Sequence, residues 1–87
     1  METLRKPVTD LIETDVDDET IIVQLDKGEL FSVEGSARAI WRELDRSPTR
    51  KELLARLASE YGVDPAAIAD DVDSFLDQAR NAGLVTS

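Results

Sequence analysis

The chain has 87 residues, 41% of them hydrophobic, with 19 Asp and Glu against 10 Lys and Arg, a formal net charge of −9, and neither Cys nor His. A chain of this length buries roughly 60–65% of its unfolded surface around one modest core, so residues 1–87 are expected to form a single domain. The missing Cys and His exclude thiol nucleophiles, disulfides, thiolate or imidazole metal sites and His-based triads, and the surplus of acid opposes phosphate binding and therefore nucleic acid.

Residues 1–10 are mixed, and Pro7 interrupts any regular ladder. Val8 to Glu13 is expected to hold a short first strand, and Asp15 to Thr20 reads as an acidic turn. Ile21 to Leu25 is β-branched and reads as a strand. Asp26-Lys27-Gly28-Glu29 is a turn, and Leu30 to Val33 is the returning strand of a hairpin. Its period of two places Phe31 and Val33 on one face and Leu30 and Ser32 on the other.

After Gly35 the period becomes helical. Ser36 is expected to cap a helix with apolar positions Ala37, Ile40, Trp41 and Leu44, which ends between Asp45 and Pro48. Thr49 and Glu52 form a capping-box pair for a second helix with Leu53, Leu54, Leu57 and Ala58 on its apolar face, Tyr61 near its end and Gly62 as its stop. Asp64-Pro65 opens a third helix carrying Ile68, Val72, Phe75, Leu76 and Ala79, and Gly83 closes it. Leu84-Val85 is a short apolar tail that tucks back. Core packing is the expectation for all four aromatic residues, Phe31, Trp41, Tyr61 and Phe75.

Strands that precede helices make an α+β domain, and a hairpin too small to stand alone must lay its apolar face on the helices. The short connection between the first two helices gives a winged helix-turn-helix-like arrangement. No apolar run approaches the ~18 residues of a membrane span, and no signal-peptide core follows Met1. The expected location is the cytoplasm, away from membranes.

The charge is uneven. Residues 1–34 carry −7, residues 35–63 carry +2 and residues 64–87 carry −4. Such a pattern suits a cationic partner that meets the first and last segments together. Other readings fit less well. Asp15, Asp17, Glu19 and Asp26 faintly resemble a calcium loop, but Thr20 stands where that loop needs Gly. Asp73-Ser74-Phe75 resembles the acyl-carrier serine motif, but the serine sits mid-helix with little chain after it. Arg38, Arg42 and Arg46 form a basic stripe, on the first helix rather than the second where a DNA-reading module carries it. No catalytic constellation and no cofactor site emerges, so the chain is not expected to be an enzyme.

The ordered set of segments resembles the PqqD-like proteins. It comprises Gly28 to Glu34, Ala37 to Asp45, Thr49 to Leu54, Asp71 to Leu76 and Gly83-Leu84-Val85. Together these span residues 21–85. Val33-Glu34 and Arg46-Ser47 depart from the usual pattern. The resemblance implies a three-stranded antiparallel sheet followed by three helices. It also implies a non-catalytic recognition element for ribosomally made, modified peptides, whose leader segment adds as a strand to the third strand and packs on the third helix.

Two features of the residues fit that mechanism. Leu30 to Val33 is a short strand able to offer an unpaired edge, and the two acidic segments, −11 together, contain this strand and the third helix and favour a leader with Lys or Arg. The expected leader-binding residues are Glu29, Leu30, Phe31, Ser32 and Val33 on the strand, with Ile68, Asp71, Val72, Phe75, Leu76 and Gln78 on the helix. Asp71, Phe75 and Gln78 form the favoured wall, with Asp71 meeting a leader Lys or a backbone N–H. Within the family, a free module of this size suits lasso peptide biosynthesis, where it would hand the precursor to a leader peptidase and a cyclase. A peptide chaperone for pyrroloquinoline quinone synthesis is the alternative subfamily, and a winged-helix DNA-binding regulator is the alternative class.

Overall fold

The computed structural model describes residues 3–7 and 11–86. Three strands, β1 (Leu11–Val16), β2 (Glu19–Gln24) and β3 (Glu29–Glu34), precede three helices, α1 (Gly35–Glu43), α2 (Arg50–Tyr61) and α3 (Pro65–Asn81). A single 3₁₀ turn over Leu44–Arg46 follows α1. The strands form an antiparallel sheet in the order β1-β2-β3, which leaves β3 at one edge. The α+β architecture of three strands followed by three helices is the one expected from the sequence.

Burial alternates along β2. Thr20, Ile22 and Gln24 are buried while Glu19, Ile21 and Val23 are half-buried, the signature of a sheet with one face on a core. Ile22 lies opposite Glu13 of β1 and Phe31 of β3, so these three share the face turned to the helices. The expected first strand begins in residues 8–10, which lie outside the described residues; from Leu11 onward it runs to Val16, further than the sequence suggests. The acidic turn correspondingly shrinks from Asp15–Thr20 to Asp17-Asp18. Asp17 takes the left-handed conformation with φ 55°, which Asp tolerates through local hydrogen bonding. Strand pairing takes the outer residues of the segment because Thr20 has a buried place on β2.

Ser36 does not cap α1. The strand passes into the helix without a loop, Glu34 occupies the capping position, and no side chain caps the helix there. Gly35 makes the corner with φ +59°, a conformation that costs glycine little and other residues more. The other helix signals hold. The Glu52 N–H donates to Thr49 Oγ1 at 3.1 Å and the Thr49 N–H donates to Glu52 Oε1 at 2.8 Å, a complete capping box. Asp64 Oδ1 accepts from the Ala66 N–H at 3.1 Å, and Pro65 opens α3.

Trp41, Ile22, Leu44, Leu53, Leu57 and Leu76 are the largest fully buried side chains, so every element except β1 and β3 contributes one. Buried Leu4, Leu84 and Val85 close the core from both ends of the chain. Their backbones are held by paired bonds between Arg5 and Thr86, at 2.8 and 2.7 Å, and by the Leu4 N–H donating to the Pro48 carbonyl at 2.7 Å. Gly83, with φ +76°, passes so close to Gln24 that a Cβ there would lie 3.0 Å from the amide Nε2. The same Nε2 donates to the Gly83 carbonyl at 3.3 Å.

Trp41 is fully buried yet keeps a polar partner. Its Nε1–H donates to Glu13 Oε1 at 2.6 Å. Lys6 Nζ stands 4.2 Å from the ring centroid and bonds both Glu13, at 3.1 Å, and Asp45, at 2.7 Å. Trp41→Phe retains most of the apolar volume but leaves Glu13 without its indole donor. It is expected to lower stability by about 1–3 kcal/mol, measured by thermal and urea unfolding; an unchanged midpoint would show that this node carries no weight.

Candidate functional site

On α3, Val72, Leu76 and Ala79 face the core, whereas Phe75 and Ile68 are half-buried at its margin. On β3, Phe31 and Val33 are half-buried on the helix-facing side, while Leu30 is 65% exposed on the other side. A cavity of about 240 Å³ lies where the two margins meet, lined by Phe31, Ser32 and Val33 of β3 and by Phe75, Gln78 and Ala79 of α3. A second cavity of about 570 Å³ adjoins it. Ile40 of α1, Leu57 and Tyr61 of α2, and Ile68, Asp71 and Phe75 of α3 line it. Phe75 and Gln78 line both cavities, so the two form one continuous groove beside the sheet edge.

The groove gathers most of the residues expected from the sequence. Phe31, Ser32, Val33, Ile68, Asp71, Val72, Phe75 and Gln78 all line it. Val72, only 2% exposed, is mainly a core residue that forms part of the floor, and Leu76, 1% exposed, belongs to the core and lines neither cavity. Glu29 is exposed at the start of β3, and Leu30 points to the outer face of the sheet. Ser32 sits along the strand beside the groove, but its hydroxyl donates to Glu19 Oε2 at 3.2 Å on the outer face.

Sequence reasoning missed the second cavity's far wall. Ile40 and Leu57 carry ordinary core periodicity, and nothing in a linear pattern marks the side of a core residue that borders a void. Tyr61 is a correction. It was expected in the core but is 50% exposed, because α2 ends there and Gly62 turns the chain away in the left-handed conformation, leaving the ring at the mouth of the cavity.

Electrostatics separate the two sides of α3. On the side away from the groove, Arg50 of α2 grips Asp73 with two bonds, Nε to Oδ1 at 2.7 Å and Nη2 to Oδ2 at 2.8 Å. These bonds hold the Asp73 carboxyl below the usual carboxylate range and the Arg50 guanidinium above its own. Arg80 pairs with Asp77 on the same helix. On the groove side Asp71 is exposed, and no ion pair reaches it among the described residues.

In the basic stripe Arg38 and Arg46 have acidic partners, and Arg42 has no ion pair among the described residues. Arg38 Nε donates to Thr20 Oγ1 at 3.0 Å and its Nη2 lies 3.4 Å from Asp15, while Arg46 and Arg56 both approach Glu43. The Thr20 hydroxyl, assisted by Arg38, holds the Asp15 carboxyl below its ordinary value. Among the described residues no group of acidic side chains is arranged to hold a metal ion, and no helix is long and apolar enough to cross a membrane.

Residues 19–85 match the family model described as coenzyme PQQ synthesis protein D (PqqD). No curated protein matches the sequence. Two solved structures share the fold over nearly the whole chain. One is TbiB1 in complex with the TbiA(beta) leader peptide, with a TM-score of 0.84, 23% identity and 95% of each chain covered. The other is lasso peptide synthetase B1 complexed with the leader peptide, with a TM-score of 0.82, 16% identity, and 98% of this chain and 99% of that chain covered.

Because Arg50 lowers the Asp73 carboxyl in the folded chain, the pair adds stability at pH above the unfolded value of about 3.9, and that contribution is lost as pH falls through the lowered folded value. Arg50→Ala is expected to move the Asp73 titration midpoint upward, toward the ordinary range. Side-chain carboxyl NMR reads this directly, and an unmoved midpoint would mean that the two groups do not pair in solution.

Proposed function

The chain belongs to the PqqD family, and on that premise we propose that it is a non-catalytic recognition protein that binds the leader segment of a ribosomally made precursor peptide. In this reading residues 1–87 act in the cytoplasm as a single leader-binding domain. The observation that carries it is the unpaired β3 edge lying directly beside a continuous apolar groove. An extended peptide placed there satisfies its own backbone on β3, and every second side chain enters the groove. Main-chain bonds supply affinity that tolerates sequence change; the two cavities supply selection.

Phe31, Val33, Phe75 and Gln78 form the walls against which an apolar leader residue packs, and the larger cavity beneath Tyr61 takes a second. Asp71 meets a leader Lys or a free backbone N–H. The −11 shared by the first and last segments attracts a leader that carries Lys or Arg, an attraction screened over about 8–10 Å at physiological salt. Glu29, Leu30 and Ser32 contribute the strand to which the leader pairs; Ile68, Val72 and Leu76 hold its floor and the core below it.

Both similar structures are of proteins bound to leader peptides, one described as a lasso peptide synthetase B1. This favours a lasso pathway, with the loaded chain presenting the precursor to a leader peptidase and then to a cyclase. The family description favours the second reading, a peptide chaperone in pyrroloquinoline quinone synthesis. A DNA-binding role finds little support in a chain of net charge −9 whose arginines are mostly paired.

The test is titration of a fluorescent leader peptide from the same gene cluster. Phe31→Ala and Phe75→Ala, each checked for folding by circular dichroism, are expected to weaken binding about tenfold or more, since buried aromatic anchors dominate such interfaces. Binding to the original protein should persist in high salt, whereas phosphate-driven binding falls steeply. A chain that shifts random duplex DNA and ignores the leader would sink the proposal. A finer prediction concerns the leader itself. Single N-methylations along its strand segment should weaken binding with a period of two, because only alternate N–H groups face β3; uniform effects would exclude strand addition.

A further inference from the structure

We infer that the outer face of the sheet, turned away from the helices, docks a partner protein whose surface has an apolar centre flanked by lysines or arginines. The strand register sets Ile12, Val23 and Leu30 in one row across all three strands. Ile21 stands in the next row and Val16 beyond it, on the same face. Ile12 and Val16 are each 49% exposed and Leu30 65% exposed. One face of an antiparallel sheet in water is ordinarily polar. An unbroken apolar band across three strands, with no helix over it, marks an interaction surface.

The band is bordered by acid. At its end Glu19 of β2 lies directly opposite Glu34 of β3, and Asp17 and Asp18 form the adjoining turn. Like charges opposite one another destabilise a sheet. Among the described residues no cation lies within ion-pair distance of Glu19 or Glu34, and Ser32 is the one side chain bonded to Glu19. Among the described residues no positive charge offsets this repulsion, and a cation brought by a partner does. A second copy of the chain brings the same acid and a net charge of −9, so self-pairing through this face is opposed.

The inference rests on the proposed leader binding in one respect. A strand added to β3 turns half of its side chains into the groove and the other half onto this outer face. The outer face therefore gains a fourth row of side chains when the leader is bound, and a partner docked on it senses the loaded state. Within the proposed pathway that partner is the leader peptidase.

The experiment uses the full chain, its leader and the leader peptidase of the same gene cluster. Ile12→Ser combined with Val16→Ser, and separately Glu19→Gln, lie on β1 and β2 rather than on β3, at exposed or half-buried positions. Both variants are expected to keep leader affinity within about twofold by fluorescence anisotropy. Peptidase binding to the loaded protein, read by calorimetry, should weaken about tenfold in the first. In the second it should lose part of its salt dependence.

Peptidase affinity unchanged in both variants, or no binding to the original protein, overturns the inference. A dimer of the original protein that the Ile12/Val16 variant dissolves, seen by sedimentation, assigns the face to a second copy and overturns it as well. Loss of leader affinity in both variants would assign the face to the leader. A protein that never binds the leader fails the proposed function instead, and peptidase binding to the unloaded chain then decides the docking face on its own.

Discussion

Trp41 is where the sheet, the first helix and the N-terminal segment meet. Its ring is fully buried under α1, its indole N–H is bound by Glu13 of β1, and Lys6 covers the ring while bonding Glu13 and Asp45. A large apolar side chain with one polar handle fixes orientation as well as burial, because the handle must reach its acceptor. With α1 held to β1 in this way, β2 lies over the core through Ile22, and β3 stands at the edge opposite β1. Had a helix or tail covered β3, the groove beside α3 would have no strand to offer.

The groove follows from how α3 is used. Three of its residues, Val72, Leu76 and Ala79, enter the core, and Phe75 stops halfway. A helix that offers its full apolar face to the core leaves no cavity. Here the face is rotated so that Phe75 and Gln78 line open space on one side while Arg50 ties Asp73 on the other. The ion pair sits in water and contributes little to stability in such positions. Its consequence is to consume the nearby cation on the far side and leave the acid at Asp71 facing the groove.

Much of this was readable from the residues. The alternation at Phe31 and Val33, the Thr49–Glu52 box and the Asp64-Pro65 start are local rules that tertiary structure had no reason to override, and each appears as expected. The sequence misled where a local signal met a topological demand. Ser36 is a good capping residue, but the corner between β3 and α1 needs a positive φ, so Gly35 opens the helix. Tyr61 has core periodicity but falls at the last residue of α2. The acidic turn is shorter than the charges suggest, because charge pattern says nothing about where pairing stops. The larger cavity was out of reach altogether, since it depends on three helices failing to fill a space, a property of volumes rather than of any residue.

A peptide that joins the sheet at β3 must hide backbone amides that otherwise face solvent. Amide hydrogen exchange followed by NMR, with and without the leader peptide, reads that event residue by residue. The account predicts new protection at every second amide between Glu29 and Glu34, accompanied by protection or shift changes at Phe75 and Gln78, with β1 unaffected. Protection that appears instead along β1 or on the arginine face of α1, with β3 exchanging as before, would contradict it.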